Sequence, residues 1–267
     1  MNNIIPTILD SHAVACVLQN VRQRSVKVHC LTNPVAQNVT ANIILAAGGT
    51  PSMTSAAREM NAFVDSVDVV AMNLGMWEEH REAAINVASA RCVETAKRWI
   101  LDPVKVERSE QRCAYAARLL EQGASVLRCN LPEAMALKHY LGLDRWQALF
   151  LSGKSVLCIT GAQDRIYCGG TVYTIDNGSL LMDRVTAMGC ALSGYMGVFL
   201  AAEENLAQAV VAAVGCYNVA GEIAAEQVNG PGSFSGAFID QLYSLTLDDV
   251  MARLKVASHS LTDLPLP

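Results

Sequence analysis

The chain has 267 residues, is 52% hydrophobic with a mean hydropathy of +0.26, and carries a formal net charge of −5. That is enough apolar material for a large core, and the acidic balance leaves no basic footprint for nucleic acid. Nine cysteines, an odd number without a Cys-x-x-Cys pair, and five histidines without ligand spacing exclude a disulfide frame and a zinc site; they read as reduced thiols of a cytoplasmic protein. No apolar run is expected to reach the roughly 18–20 residues of a membrane helix. Met1-Asn2-Asn3-Ile4 lacks the basic-then-apolar pattern of a secretory leader.

In chain order, Asp10 to Arg22 has helical apolar spacing, and Val26 to Leu31 reads as a strand broken by Thr32-Asn33-Pro34. Asn38-Val39-Thr40 opens a helix from Ala41 to Ala47 that Gly48-Gly49 stops, and Thr50 to Met53 reads as a loop. A helix around Ala56–Ala62, a strand over Asp68–Met72, a helix over Glu79–Lys97 and a strand over Trp99–Leu101 follow. The rhythm continues with a strand at Ser125–Cys129, a helix from Asn130 to Leu141 and a strand at Ser155–Ile159. Arg165–Cys168 and Thr171–Ile175 flank Gly169-Gly170 as a hairpin. After a strand-like Leu180-Leu181 come helices at Cys190–Ala202 and Leu206–Gln227, a tight loop at Gly230–Phe234 and a last helix over Phe238–Leu245. This alternation predicts a single α/β domain over residues 1–267, with a mostly parallel sheet and helices on both faces.

Ligands of such sheets gather at the carboxyl ends of the strands, where Asn33, Gly75 and Asp102 fall. Gly189-Cys190 opens an Ala-rich helix whose free N–H groups and dipole suit a phosphoryl group and lower a thiol's pKa. An ordinary strand-to-helix turn with a buried cysteine fits the same spacing. Asp102 and Glu133 suit a magnesium ion, which takes one or two carboxylates plus phosphates and waters. Equally, Asp before Pro is a turn residue and Glu near a helix start complements the dipole. Arg128 and Thr160-Gly161-x-x-Asp164 suit phosphates, although Arg128 also suits a salt bridge and Asp164 the ordering of its own turn. Gly230-x-Gly232 lies after a helix and carries Pro231, which argues against a dinucleotide loop, and there is no P-loop sequence.

Several motifs occur together in one order. They are His29-x-Leu31-Thr32-Asn33, Thr40-Ala41-Asn42, Gly49-Thr50-Pro51-x-Met53, Asn73-x-Gly75 and Leu101-Asp102-Pro103-Val104. Arg128-x-Asn130-x-x-Glu133, Ile159-Thr160-Gly161-x-x-Asp164, Val185-Thr186-x-x-Gly189-Cys190 and Gly230-Pro231-Gly232-Ser233-Phe234 complete the set. From His29 to Leu245 this set resembles the hydroxyethylthiazole kinases, of the ribokinase-like fold. The resemblance implies a three-layer α/β architecture, a homotrimer with substrate sites between subunits, and ATP-dependent phosphorylation of 4-methyl-5-(2-hydroxyethyl)thiazole in thiamine salvage. It places Cys190 opposite the substrate hydroxyl and Gly189 in the anion hole. It gives Asp102 and Glu133 to Mg2+, Arg128, Thr160, Gly161 and Asp164 to the nucleotide, and Asn33, Met53 and Gly75 to the thiazole. Phosphoryl transfer asks mainly for positioning and charge neutralisation, so a weak base such as Cys suffices.

Four departures from the family pattern stand near the site. Ala187 replaces a usual Gly, where a left-handed backbone would strain it by about 1 kcal/mol. Lys105 to Ser109 are bulkier and more charged than the small residues usual after Val104, Met76 replaces a frequent Thr, and the stretch from Glu133 to Ile159 is shorter. They raise two alternatives: a kinase of another small alcohol, and a non-catalytic binding relative.

Overall fold

A computed structural model of the chain describes residues 9–267; the leader reading at Met1–Ile4 lies outside the described residues. Among the described residues, nine strands form one sheet in the order β2-β1-β3-β4-β5-β6-β7-β8-β9. Strands β1 (Lys27–Leu31), β2 (Thr50–Ser52), β3 (Val69–Asn73), β4 (Trp99–Asp102), β5 (Val126–Asn130) and β6 (Val156–Thr160) run parallel. Strands β7 (Asp164–Cys168), β8 (Thr171–Ile175) and β9 (Val256–Ser260) continue the sheet antiparallel. The apolar runs of the parallel strands are dictated by burial on both faces. Val28, Ala71, Ile100, Val126 and Val156 join one core, while Leu31, Met72, Leu101, Leu127 and Leu157 join the other. The two-residue period of a strand thus splits each run between two helical layers.

The first layer holds α1 (Ser11–Arg22), α2 (Pro34–Ala46), α8 (Met188–Ala202), α9 (Leu206–Glu226), α10 (Pro231–Ser244) and α11 (Leu247–Arg253). The second holds α3 (Met60–Ser66), α4 (Glu79–Glu94), α5 (Glu110–Glu121), α6 (Leu131–Leu141) and α7 (Leu143–Leu151). Asp10 caps α1 by accepting from Ala13 N–H at 2.8 Å, a cap worth about 1 kcal/mol. Its apolar side then buries Val14, Val17, Leu18 and Val21 in the first core.

The three-layer architecture follows the expectation, and several boundaries do not. Helix α2 begins at Pro34, seven residues before Ala41, because Asn33 caps it and Pro fits a first helical turn. Thr50–Ser52, expected in a loop, pairs with β1, and Gly230–Phe234 enters α10 instead of closing a separate loop. Leu180-Leu181 is no strand; it leads into a 3-10 turn at Met182–Arg184, with Leu180 85% exposed. Helix α9 corrects the reading of apolar runs, since its 21 residues are long and apolar enough to cross a membrane. Here 78% of that window is buried, as the central helix of the first layer.

Candidate functional site

The six parallel strands end on one side of the sheet, and the ends of β1, β3, β4, β5 and β6 each contribute a polar side chain. Asn33 follows β1 and caps α2, its Oδ1 accepting from Ala36 N–H at 3.2 Å. Its Nδ2 donates to Asn73 Oδ1 at 3.2 Å and to Cys190 Sγ at 3.6 Å. Asn73 closes β3 and donates to Asp102 Oδ2 at 2.9 Å, while Ser193 of α8 donates to the same oxygen at 3.0 Å. Asp102 Oδ1 is buried with no hydrogen-bond partner. Gly75 is buried beside this chain, where a Cβ would stand 2.9 Å from Asn33 Nδ2 and 2.9 Å from Asn73 Oδ1. Only glycine fits there without displacing an amide.

Burial pushes the Asp102 carboxyl up to about 6, with Arg128 opposing and Glu133 assisting the rise. The arginine Nη1 lies 3.6 Å from Asp102 Oδ2, a pair too loose to offset desolvation fully. Cys190 is also pushed up, to about 11, first by burial and then by the Asp102 charge; Asn73, Arg128 and Asn33 pull the other way. The expectation of a lowered thiol is therefore corrected. A helix start depresses a thiol that water reaches, whereas here desolvation dominates and Cys190 is a neutral S–H at neutral pH.

Beside Asp102, Arg128 of β5 donates to Thr160 Oγ1 at 2.7 Å, and its Nε is buried without a partner. A Cβ on Gly189 would stand 2.6 Å from Arg128 Nη2 and 2.8 Å from Nη1, so the missing side chain is what lets the guanidinium lie across the start of α8. Ala187 caps that helix at φ 68°, in the left-handed region, so the turn keeps the shape a glycine would favour. Lys105 (φ 63°) and Met76 (φ 49°) hold left-handed backbones too, which places three of the four departures on strained turns around the site.

Arg128, Thr160, Gly161 and Gly189 line a cleft of about 650 Å³ with Ser179, Met182, Val185 and Tyr217 in its wall. Asp164 is buried in that wall, and its oxygens accept from Gly161 N–H at 3.0 Å and Asn218 Nδ2 at 2.5 Å. It orders its turn and ties β7 to α9. Glu133 is similarly engaged: its Oε2 accepts from Asn130 N–H at 2.9 Å in a capping box, and its Oε1 from Lys105 N–H at 2.8 Å. Among the described residues no group of three or more His, Cys, Asp or Glu is arranged to hold a metal by itself. Met53 follows β2, half-buried against the first core, and His29 brackets it by bonding Ser52 Oγ at 2.8 Å and Thr54 O at 3.0 Å.

Sequence reasoning missed Ser193, Arg81 and Arg112 as parts of this site and Asn73 as its hub. Arg81 is 3% exposed and donates to the carbonyls of Leu31 (3.2 Å), Asn73 (2.7 Å), Met76 (2.9 Å) and Gly75. Arg112 holds Leu74 O and Val104 O at 2.8 Å each. The Asn-x-Gly motif was the available signal for Asn73.

The fold and this strand-end site place the chain in the ribokinase-like class of α/β proteins. A ribokinase-like superfamily protein from Enterococcus faecalis superposes with a TM-score of 0.63 over 90% of this chain and 96% of its own, at 14% identity, a likeness of fold alone. The chain belongs to the hydroxyethylthiazole kinase family, whose model matches residues 18–248. A hydroxyethylthiazole kinase of Cereibacter sphaeroides is 37% identical over 251 residues, covering 87% of this chain and 94% of that relative. One from Klebsiella pneumoniae is 35% identical, covering 90% and 98%. The solved hydroxyethylthiazole kinase of Pyrococcus horikoshii superposes with a TM-score of 0.86 at 29% identity, covering 92% and 99%.

Proposed function

We propose that this protein, acting as one catalytic domain in the cytoplasm, transfers the terminal phosphoryl group of ATP to the hydroxyl of 4-methyl-5-(2-hydroxyethyl)thiazole in thiamine salvage. The observation that carries the reading is the adjacency of Gly189 and Cys190. One residue backs onto Arg128 in the large cleft, and the next meets Asn33 of the relay that ends on Asp102. A phosphoryl group at the start of α8 would lie between a nucleotide in the cleft and an alcohol beside the thiol.

In this reading Arg128, Thr160 and the Gly161 turn, which Asp164 fixes, hold the nucleotide phosphates. The first N–H groups of α8 meet charge developing on the transferred group. Cys190, neutral at neutral pH, hydrogen-bonds the alcohol and orients its oxygen; a loose transition state asks little more of a base. Asn33, Met53 and Gly75 line the alcohol side, and a homotrimer would present Gly75 and Met76 to a neighbouring subunit. The residues fit Mg2+: Asp102 has a buried oxygen without a partner, and Glu133 retains lone pairs beyond its two backbone contacts. Bound there, the ion would neutralise phosphate charge.

The test is product analysis with Mg-ATP and a panel of small heterocyclic alcohols. The thiazole alcohol is expected to be the best acceptor, giving its phosphate ester, with turnover lost on chelation. A better acceptor elsewhere in the panel, or nucleotide binding without any ester, would overturn the reading.

A further inference from the structure

Asn73 ends β3, is 2% exposed, and has only one allowed amide orientation. The Gly75 N–H can only donate, and it lies 3.0 Å from Oδ1, so the amide oxygen must face it. The Nδ2 group is thereby turned onto Asp102 Oδ2 at 2.9 Å. Asn33 is fixed by the same logic: Ala36 N–H claims its Oδ1, which turns Nδ2 onto Asn73 Oδ1 and Cys190 Sγ. Two backbone amides therefore set the polarity of a side-chain relay from α2 to β4. At its end the donors from Asn73 and Ser193, with the nearest contact of Arg128, fall on one oxygen of Asp102. The other oxygen is left buried and unpartnered.

We infer that Asn73 is a positioning residue that joins the two reacting sides: it turns Asp102 so that Oδ1 stays free for ligand, and it holds the Asn33 amide against the Cys190 thiol. This deepens the kinase reading and rests on it. The surrounding backbone is built to keep the relay in place, because Arg81 and Arg112 tie down the carbonyls of Asn73, Leu74 and Met76. Neither arginine has this loop as its only anchor. Arg81 also holds Leu31 O, and Arg112 holds Val104 O, so β1 and the turn after β4 are fixed to the same frame.

Asn73→Asp keeps the shape of the side chain and removes both N–H donors. Its kcat for the thiazole alcohol should fall about a hundredfold, the size of losing one well-placed donor, with KM for the alcohol changed less than about threefold. A purely structural role would instead leave kcat intact in the fraction that folds. A second readout needs no turnover: peptide-resolved iodoacetamide labelling at one mildly alkaline pH, with exposed Cys16 on the same chain as reference. Cys190 should label several-fold more slowly in Asn33→Asp, where a carboxylate replaces the N–H that faces the sulfur, and also in Asn73→Asp, where a buried negative charge is added behind the Asn33 amide. Asn20→Asp, on the exposed side of α1, should change neither readout. Slower labelling in a protein that phosphorylates nothing would keep this inference and remove the kinase reading. Native kcat in Asn73→Asp, or an unchanged Cys190 labelling rate, would overturn the inference itself.

Discussion

At the ends of β1, β3 and β4, side chains satisfy one another: Asn33 meets Asn73, Asn73 and Ser193 meet Asp102, and Gly75 leaves room for both amides. At the ends of β5 and β6 the arrangement is open. Arg128, Thr160 and Gly161 face a cleft of about 650 Å³, and Glu133 and Asp164 accept from backbone or amide donors. The first side is preorganised by a hydrogen-bond relay that leaves Asp102 Oδ1 open at its end, as suits a small neutral alcohol whose orientation decides reactivity. The second presents a guanidinium that Thr160 and Asp102 engage only in part, beside the start of α8, as suits a large anion that brings its own acceptors. Helix α8 joins them through consecutive residues, and that contrast can be broken from either side.

The largest effect should come from Asp102→Ala, which leaves Asn73, Ser193 and Arg128 without their shared acceptor. Turnover should drop by roughly a thousandfold or more, the scale of losing charge placement in a transition state; steady-state assays check it. Gly189→Ala strikes the opposite side, because its Cβ would stand 2.6 Å from Arg128 Nη2. The displaced guanidinium should raise KM for ATP about tenfold or more while thiazole binding stays near normal, which separate titrations would show.

The third effect concerns stability and pH. Burial lowers His29 from its ordinary value to about 4, against a smaller opposing pull from Thr54 O. The folded state then binds fewer protons than the unfolded one between about pH 4 and 6.5, so this contribution is fully present above pH 6.5 and is lost as pH falls toward 4. It amounts to about 3 kcal/mol. Asp102 and Asp164, both raised to about 6, act in the reverse direction, adding stability as pH falls from 6 to 4. His29→Gln should therefore flatten or invert the acid limb of urea midpoints compared between pH 7 and about 4.5.

The smallest effect is expected from Ala187→Gly. Relief of a left-handed alanine, worth about 1–2 kcal/mol, is offset by about 0.5–1 kcal/mol of extra chain entropy. Denaturation should show a gain between zero and about 1.5 kcal/mol, with turnover equal or higher.

Much of this was legible in the chain. The apolar runs marked β1, β3, β4, β5 and β6, and the polar residues that end them form the candidate site. What escaped notice did so for physical reasons. In α5 the apolar stripe of Cys113, Ala116, Ala117 and Leu120 is interrupted by Arg112, Arg118 and Glu121, so its period is faint. Strand β9 is an edge strand with exposed Ala257, Ser258 and Ser260, and it shows no inward alternation. Arg81 reads as one more charge on a polar helix; only the converging carbonyls of β1 and β3 explain its burial. The thiol of Cys190 was assigned the wrong direction because helix position is visible in sequence, whereas the depth of burial is not.

The central claim is that Gly189-Cys190 joins a nucleotide cleft to an alcohol site, and Cys190→Ala tests it most directly when ATP binding and phosphorylation of the thiazole alcohol are measured on the same sample. The account predicts ATP affinity within about threefold of the native protein and turnover reduced by roughly a hundredfold or more. Native turnover in that variant would contradict it.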